Sequence, residues 1–87
     1  MSKQSLASEQ NSEVRKSFNE AAEKWPSSFV AREKISTFTG GAISSGHMAN
    51  LDCLGEGPEG RVRIGRKVCY SVTSLIAWLI KRSVALN

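Results

Sequence analysis

The sequence predicts a mainly α-helical domain that carries one small β-hairpin. Apolar residues recur at helical spacing in several segments, and clusters of glycine and proline separate these segments. Residues 61–70 (RVRIGRKVCY) instead alternate apolar and polar side chains around a glycine, as two short strands do. A chain of 87 residues suits one domain with a modest core.

The N-terminal quarter of the chain divides into two parts. Residues 1–12 are polar, small and aperiodic, which predicts a disordered tail. Residues 13–25 place apolar side chains at helical spacing, from Val14 to Trp25, and predict an amphipathic helix that Pro26 ends. We expect its apolar stripe to form a core or dimer contact.

The domain itself is expected over residues 27–83 and begins with a helix. Phe29 and Val30 lead into this helix, Ile35 and Phe38 supply its buried face, and the following pair of glycines ends it through a left-handed or otherwise permissive conformation.

A second helix of the domain is predicted over residues 45–54. Ser44 is a suitable N-cap, and Met48, Leu51 and Leu54 form the buried stripe. Two short helices joined by a tight, glycine-containing turn indicate a helix-turn-helix.

The hairpin allows two registers. A two-residue turn at Gly65-Arg66 would pair Ile64 with Lys67 and mix the two faces. A three-residue loop pairs Ile64 with Val68 instead. We favour the three-residue loop, because it collects the apolar side chains of the hairpin on one face.

That register places Arg61 and Arg63 on the outer face and Arg66 and Lys67 at the tip. All of the excess positive charge lies in residues 30–87, and these four side chains are half of the basic residues there. Such a concentration favours a polyanionic partner, with double-stranded DNA ahead of an anionic membrane surface.

The segment SVTSLIAWLIKRS predicts a C-terminal helix, with Ser71 as its N-cap and Lys81-Arg82 at its end. Its apolar surface, from Val72 to Ile80, is wider than one packing face requires. We therefore expect this helix to contact more than one neighbour.

Several functional classes are not expected. The polar N-terminus lacks the apolar region of a secretory signal, no apolar run is long enough to cross a bilayer, and a cytoplasmic location is expected. Cys53 and Cys69 lack the spacing of metal ligands, so no metal or other cofactor is predicted. One histidine and no convincing pair of carboxylates leave nothing for acid/base or nucleophilic catalysis, and we predict that the protein is not an enzyme.

A series of short motifs lies in order along residues 29–82. These are Thr39-Gly40-Gly41, Ala49-Asn50-Leu51-Asp52, Gly57-Pro58, Ile64-Gly65-Arg66-Lys67, Tyr70 and Trp78-Leu79. Together they resemble the MerR-like winged helix-turn-helix domains of phage excisionases and AlpA-type regulators.

The resemblance implies a winged helix-turn-helix fold and a nucleoid-associated protein that binds double-stranded DNA. Residues 45–54 would be the recognition helix in the major groove, and residues 61–70 the wing on the backbone or in the minor groove. It implies an excisionase, which bends DNA, or a transcriptional regulator. Integrase or another recombinase, RNA polymerase components and further copies of the chain on DNA are the partners that such roles involve.

The chain departs from the family pattern in the recognition helix. The candidate DNA contacts there are Ser44, Ser45, Gly46, His47 and Asn50. Many relatives carry long polar residues at 45 and 46, and Thr is common at 47. Small residues permit close approach but supply few donors to base edges, so we expect weak direct readout, with phosphate contacts and DNA deformation dominating. Asn50 is suited equally to pairing with adenine and to holding backbone groups, and His47 to packing or phosphate contact.

The alternative is a protein-interaction module that keeps the fold and binds DNA weakly or not at all. The two apolar helices and the absence of basic residues at 45 and 46 favour it. The position of helix 13–25 discriminates between the two hypotheses. Folded over residues 44–54 it would block DNA, whereas packed elsewhere it would not.

Overall fold

The computed structural model describes residues 2–84. Within this range the chain forms a mixed α/β domain of four α-helices, one 3₁₀-helix and a three-stranded antiparallel sheet. In chain order the elements are α1 (Ser2–Lys24), β1 (Phe29–Ala31), the 3₁₀-helix (Arg32–Lys34), α2 (Ile35–Phe38), α3 (Ser45–Cys53), β2 (Val62–Ile64), β3 (Lys67–Ser71) and α4 (Val72–Arg82).

Helix α1 begins much earlier than the sequence analysis predicts. The disordered tail expected over residues 1–12 is wrong for residues 2–12, which are helical, while Met1 lies outside the described residues. This stretch is polar but contains no glycine or proline, and it includes Lys, Gln, Leu, Ala and Glu, all strong helix formers. A polar segment of that kind extends an existing helix, because only nucleation is costly. The end of α1 at Lys24, just before Pro26, agrees with the prediction.

The second half of α1 packs against α4. Phe18, Ala22 and Trp25 are half-buried against the core, as the predicted apolar stripe requires. The Trp25 ring meets the Phe38 ring edge-on at a centroid distance of 5.2 Å, and its indole N–H donates to the carbonyl of Phe29 at 2.9 Å. The stripe is therefore a core contact.

Strand β1 is absent from the sequence-based prediction, which has Phe29 and Val30 leading into a helix. Phe29–Ala31 instead pairs antiparallel with β3, with Val30 opposite Tyr70, and the sheet has the order β1-β3-β2. A three-residue strand shows no periodicity, and its conformation is fixed by pairing with a distant strand. Ile35 and Phe38 are buried in α2, as predicted.

The core lies between the sheet and the helices. Its buried members are Val30, Ile35, Phe38, Met48, Tyr70, Leu75, Ile76 and Leu79. Leu54 is 69% exposed and does not belong to it, contrary to the predicted stripe. Leu54 is the C-cap of α3, and at this end of the helix its side chain lies beyond the core that covers Met48 and Leu51.

The hairpin adopts the register that the sequence analysis does not favour. Ile64 lies opposite Lys67 and Arg63 opposite Val68, so the turn is the two-residue Gly65-Arg66. Gly65 has φ +63°, as the first position of a type I′ or II′ turn requires. The predicted three-residue loop is therefore wrong.

This register reverses the predicted faces of β2. Residues opposite one another share a face, so Arg63 lies on the side of Val68, which packs against the core. Val62 and Ile64 lie on the other side and are 41% and 53% exposed. With Phe29 and Ala31 they form an apolar surface that we call the outer sheet face.

Candidate nucleic-acid interface

The N-terminal end of α3 and the tip of the hairpin β2–β3 border one shallow, open depression. Its lining residues are Arg32, Glu33, Ser45, Gly46, Arg66, Lys67 and Val68. Two of the predicted contacts on α3 and two of the predicted hairpin cations therefore lie around the same surface.

The start of α3 is fixed by its N-cap. The Ser44 hydroxyl accepts a hydrogen bond from the backbone N–H of His47 at 3.1 Å, as predicted. Ser45 and Gly46 are exposed, and a Cβ added to Gly46 would meet no heavy atom within 4 Å. The glycine is thus not needed for packing within the chain, and it leaves this end of the helix open to close approach.

The other two predicted contacts on α3 lie elsewhere. His47 is exposed but lines a separate groove, together with Phe18 of α1 and Leu79 of α4. Asn50 is exposed and lines neither depression. The structure therefore divides the predicted residues of α3 between two sides of the helix.

The four cations of the hairpin are not equivalent. Arg61 Nη1 lies 3.6 Å from Asp52 Oδ1, and Lys67 Nζ lies 2.5 Å from Glu33 Oε1. The Lys67 hydrogen bond and charge hold the pKa of the Glu33 carboxyl below its usual value. Among residues 13–84, no carboxylate lies within ion-pair distance of Arg63 or Arg66, and both are exposed.

Asp52 of α3 is the buried centre of a polar network that joins α3 to the sheet. The carboxylate is 5% exposed, and its Oδ2 accepts hydrogen bonds from Arg32 Nη2 at 2.8 Å and from the Tyr70 hydroxyl. Arg32 Nε also donates to the Tyr70 oxygen at 3.2 Å. Helix α3, the 3₁₀-helix and β3 are thereby held together by one carboxylate.

Burial and this hydrogen bonding perturb the partners of Asp52. Burial, and after it the hydrogen bond to Asp52, raise the pKa of Tyr70 to about 12. Hydrogen bonds to Tyr70 and to Asp52 raise the pKa of the Arg32 guanidinium. Tyr70 therefore remains a neutral donor and Arg32 a cation at any ordinary pH.

The loop before the hairpin closes over Asp52. A Cβ at Gly57 would lie 2.0 Å from Asp52 Oδ1, so this position accepts only glycine without movement. The same oxygen is buried without a hydrogen bond, and Arg61 is the cation beside it. Arg61 thus lies between the hairpin and α3 rather than on the predicted outer face.

Arg32, Glu33 and the ion-pairing role of Asp52 are absent from the sequence-based site. One local signal for Asp52 exists: it follows Met48 by four residues and therefore shares the buried face of α3. A carboxylate on a buried face needs a cation or hydrogen-bond donors, which predicts a partner but does not identify Arg32.

Comparison of the chain with family models, curated proteins and solved structures finds no match. The resemblance to MerR-like domains therefore stays a prediction. No helix within residues 2–84 has both the length and the apolar character needed to cross a bilayer. In the described part of the chain, no group of three or more His, Cys, Asp or Glu side chains could hold a metal ion.

Proposed function

We propose that the chain is a non-enzymatic, double-stranded DNA-binding protein with a winged helix-turn-helix fold. In this proposal α2 and α3 form the helix-turn-helix, α3 is the recognition helix, and the hairpin is the wing. The observation that carries it is the shared depression, since a duplex lying against the start of α3 would also meet Arg66 and Lys67. This is the arrangement in which a helix enters a groove while an adjacent ribbon contacts the backbone.

The free cations support phosphate binding. Arg63 and Arg66 are exposed and have no carboxylate partner within residues 13–84, and a guanidinium matches the geometry of a phosphate. If these two each neutralise one phosphate, log affinity should fall against log salt with a slope of about −1.8. If the ion pairs of Arg61 and Lys67 also open to DNA, the slope should approach about −3.6.

The position of α1 also supports DNA binding. This helix packs against α4, and Ser45, Gly46 and Asn50 remain exposed on α3. A duplex could therefore reach α3 without displacing α1.

In this proposal, the protein recognises DNA sequence mainly by indirect readout. Ser45 and Gly46 supply few donors to base edges, so phosphate contacts and the deformability of the duplex would dominate. An excisionase-like role, with a recombinase as partner, and a regulatory role, with RNA polymerase components as partners, both use such a domain at nucleoid DNA. Self-association on DNA is compatible with either role.

A protein-interaction module remains the second candidate because of the outer sheet face. Phe29, Val62 and Ile64 are each between 41% and 53% exposed there. Such a module would bind a protein through this apolar surface and would not depend on Arg63 or Arg66.

The test is the binding of a random-sequence duplex across a salt series, measured by fluorescence anisotropy. The test variant is Arg63→Ala/Arg66→Ala, and its matched control is Arg15→Ala/Lys16→Ala, which removes the same charge from exposed positions of α1. We expect the control to keep the wild-type slope and the test variant to lose about 1.8 from it. Arg61 and Lys67 are left in place, because each already pairs with a carboxylate, and the partner of Arg61 is the buried Asp52.

Circular dichroism and thermal unfolding establish that both variants are folded. No binding by the wild-type protein at low salt, or equal losses in the two variants, would contradict the proposed function. The outer sheet face would then be the surface to pursue.

A further inference from the structure

Ile64 is a large apolar side chain displayed at the end of a cationic ribbon. It is 53% exposed, and it forms the closing pair of the hairpin with Lys67, next to the two-residue turn. Arg63 precedes it, and Arg66 lies in the turn. The tip of the hairpin therefore combines one exposed aliphatic group with Lys67 on the same face and Arg66 in the turn, while Arg63 lies on the opposite face.

The position of Ile64 is well fixed relative to α3. The turn is a tight one with Gly65 at φ +63°, and β2 pairs along its length with β3. β3 is the central strand of the sheet, and its Tyr70 donates a hydrogen bond to Asp52 of α3. An exposed side chain that is already held in place loses little conformational entropy when it inserts into a binding partner.

The charges around Ile64 identify the partner that fits it. A protein surface covering Ile64 would also have to cover the Lys67 ammonium opposite it and approach Arg66 in the turn, which is costly without matching anions. A DNA duplex supplies phosphates for the cations and stacked base pairs for the aliphatic group. Proteins that bind the minor groove commonly insert an apolar side chain, isoleucine included, between base pairs and kink the duplex.

We propose that Ile64 is a wedge that enters the minor groove of bound DNA, partly unstacks one base-pair step and bends the duplex. This inference rests on the proposed DNA binding and adds the residue that deforms the DNA. The preferred positions are easily unstacked pyrimidine–purine steps. Specificity then arises from deformability, in keeping with the few donors on Ser45 and Gly46.

The experiment measures bending by energy transfer between dyes at the two ends of a short duplex. The proteins are the wild type, Ile64→Ala, Ile64→Leu and Val62→Ala. Val62 is the matched control, since it lies on the same face of β2 and is 41% exposed but is further from the tip. Each protein is also titrated against a duplex with one central mismatch, which lowers the cost of unstacking.

We expect the wild type, Ile64→Leu and Val62→Ala to bend DNA and to prefer the mismatched duplex by about tenfold, which corresponds to relief of about 1.4 kcal/mol of the unstacking cost. Ile64→Ala should still bind but lose both the bend and most of the preference. Binding without a bend by the wild type, or equal behaviour of Ile64→Ala and Val62→Ala, overturns the wedge and leaves the proposed function standing. Absence of any binding by the wild type overturns both.

Discussion

The start of α3 and the tip of the hairpin border the same depression but present opposite chemistry. Helix α3 contributes small, uncharged groups at Ser45 and Gly46, whereas the hairpin contributes Arg66 and Lys67. Small groups allow close approach and read few base edges, while cations attract any sequence alike. A surface divided in this way is suited to holding the DNA backbone, and it leaves sequence preference to the shape of the duplex.

The two regions depend on one residue for their relative placement. Asp52 belongs to α3, yet its carboxylate contacts Arg32 and Tyr70 and lies beside Arg61 at the start of the hairpin. Disrupting this carboxylate should therefore separate the two halves of the surface more than any change within either half.

The largest effect is expected from Asp52→Ala. The substitution leaves the Arg32 guanidinium and the Tyr70 hydroxyl without their acceptor, which should lower the free energy of unfolding by about 3 kcal/mol. We choose the low end of the range for buried pairs because Arg32 keeps 27% of its side chain exposed. Urea denaturation measures the change.

The control for this variant is Glu59→Ala, which removes the same charge from an exposed position of the loop before the hairpin. Its free energy of unfolding should change by no more than about 0.5 kcal/mol. Similar losses in the two variants would mean that Asp52 does not join α3 to the sheet.

The contact between Tyr70 and Asp52 can be followed by titrating the Tyr70 hydroxyl, because Tyr70 is the only tyrosine of the chain. The tyrosinate absorbance should rise with a midpoint at a pH of about 12 in the folded protein and return towards 10.0 in denaturant. The folded state holds the hydroxyl proton of Tyr70 more tightly than the unfolded state does. The resulting contribution to the free energy of unfolding is therefore fully present below pH 10 and is lost as pH rises from 10 to 12. A native midpoint at the ordinary tyrosine value would show that the hydroxyl is not buried against Asp52. Tyr70→Phe should lack both the absorbance change and this part of the loss of stability.

Local patterns predicted much of the helical structure, but not residues 2–12 of α1. The apolar spacing located the second half of α1, and side-chain caps located the starts of α3 and α4, where Ser44 and Ser71 accept from backbone N–H groups at 3.1 Å. Each of these signals lies within one turn of helix, so no knowledge of the rest of the fold is required.

Long-range pairings were not predicted, because a local signal does not identify a partner that is distant in the sequence. Strand β1 exists only because β3 lies beside it. The register of β2 could be predicted only by knowing which of its residues contact the core. Gly65 at the first position of a two-residue turn was a usable signal for the observed register. The predicted register places Val62 and Ile64 on a buried face, yet neither side chain is buried.

The candidate site likewise combines features that local sequence predicts with long-range contacts that it does not. The hairpin cations and the N-terminal residues of α3 were predictable because they are adjacent in sequence. The carboxylates that pair with the cations were not, because Lys67 and Glu33 are 34 positions apart and Arg32 and Asp52 are 20 apart. No local spacing indicates such partners.

A smaller effect is expected from Gly46→Ala, which sharpens the contribution of α3. Alanine is favoured over glycine in a helix by up to about 1 kcal/mol, and its methyl group has open space, so the thermal midpoint should rise. Affinity for a duplex should fall nevertheless, because the added group keeps the helix from its closest approach. Thr73→Ala, at an exposed position of α4 away from the depression, is the control for affinity. Unchanged affinity in Gly46→Ala would mean that this end of α3 does not approach DNA closely.

The smallest effect is expected from Glu33→Gln, which sharpens the contribution of the hairpin. Glu33 and Lys67 are both more than half exposed, so losing their ion pair should change stability little. The freed ammonium group can instead neutralise a phosphate, and the slope of log affinity against log salt should steepen by about 0.9. Glu56→Gln, at an exposed position beyond α3, matches the change in charge without releasing Lys67. Because the released cation lies at the hairpin tip, a steeper slope in Glu33→Gln alone would show that Glu33 limits how firmly this tip holds DNA. Equal slopes in the two variants would mean that freeing Lys67 adds no phosphate contact to those that the wild-type hairpin already makes.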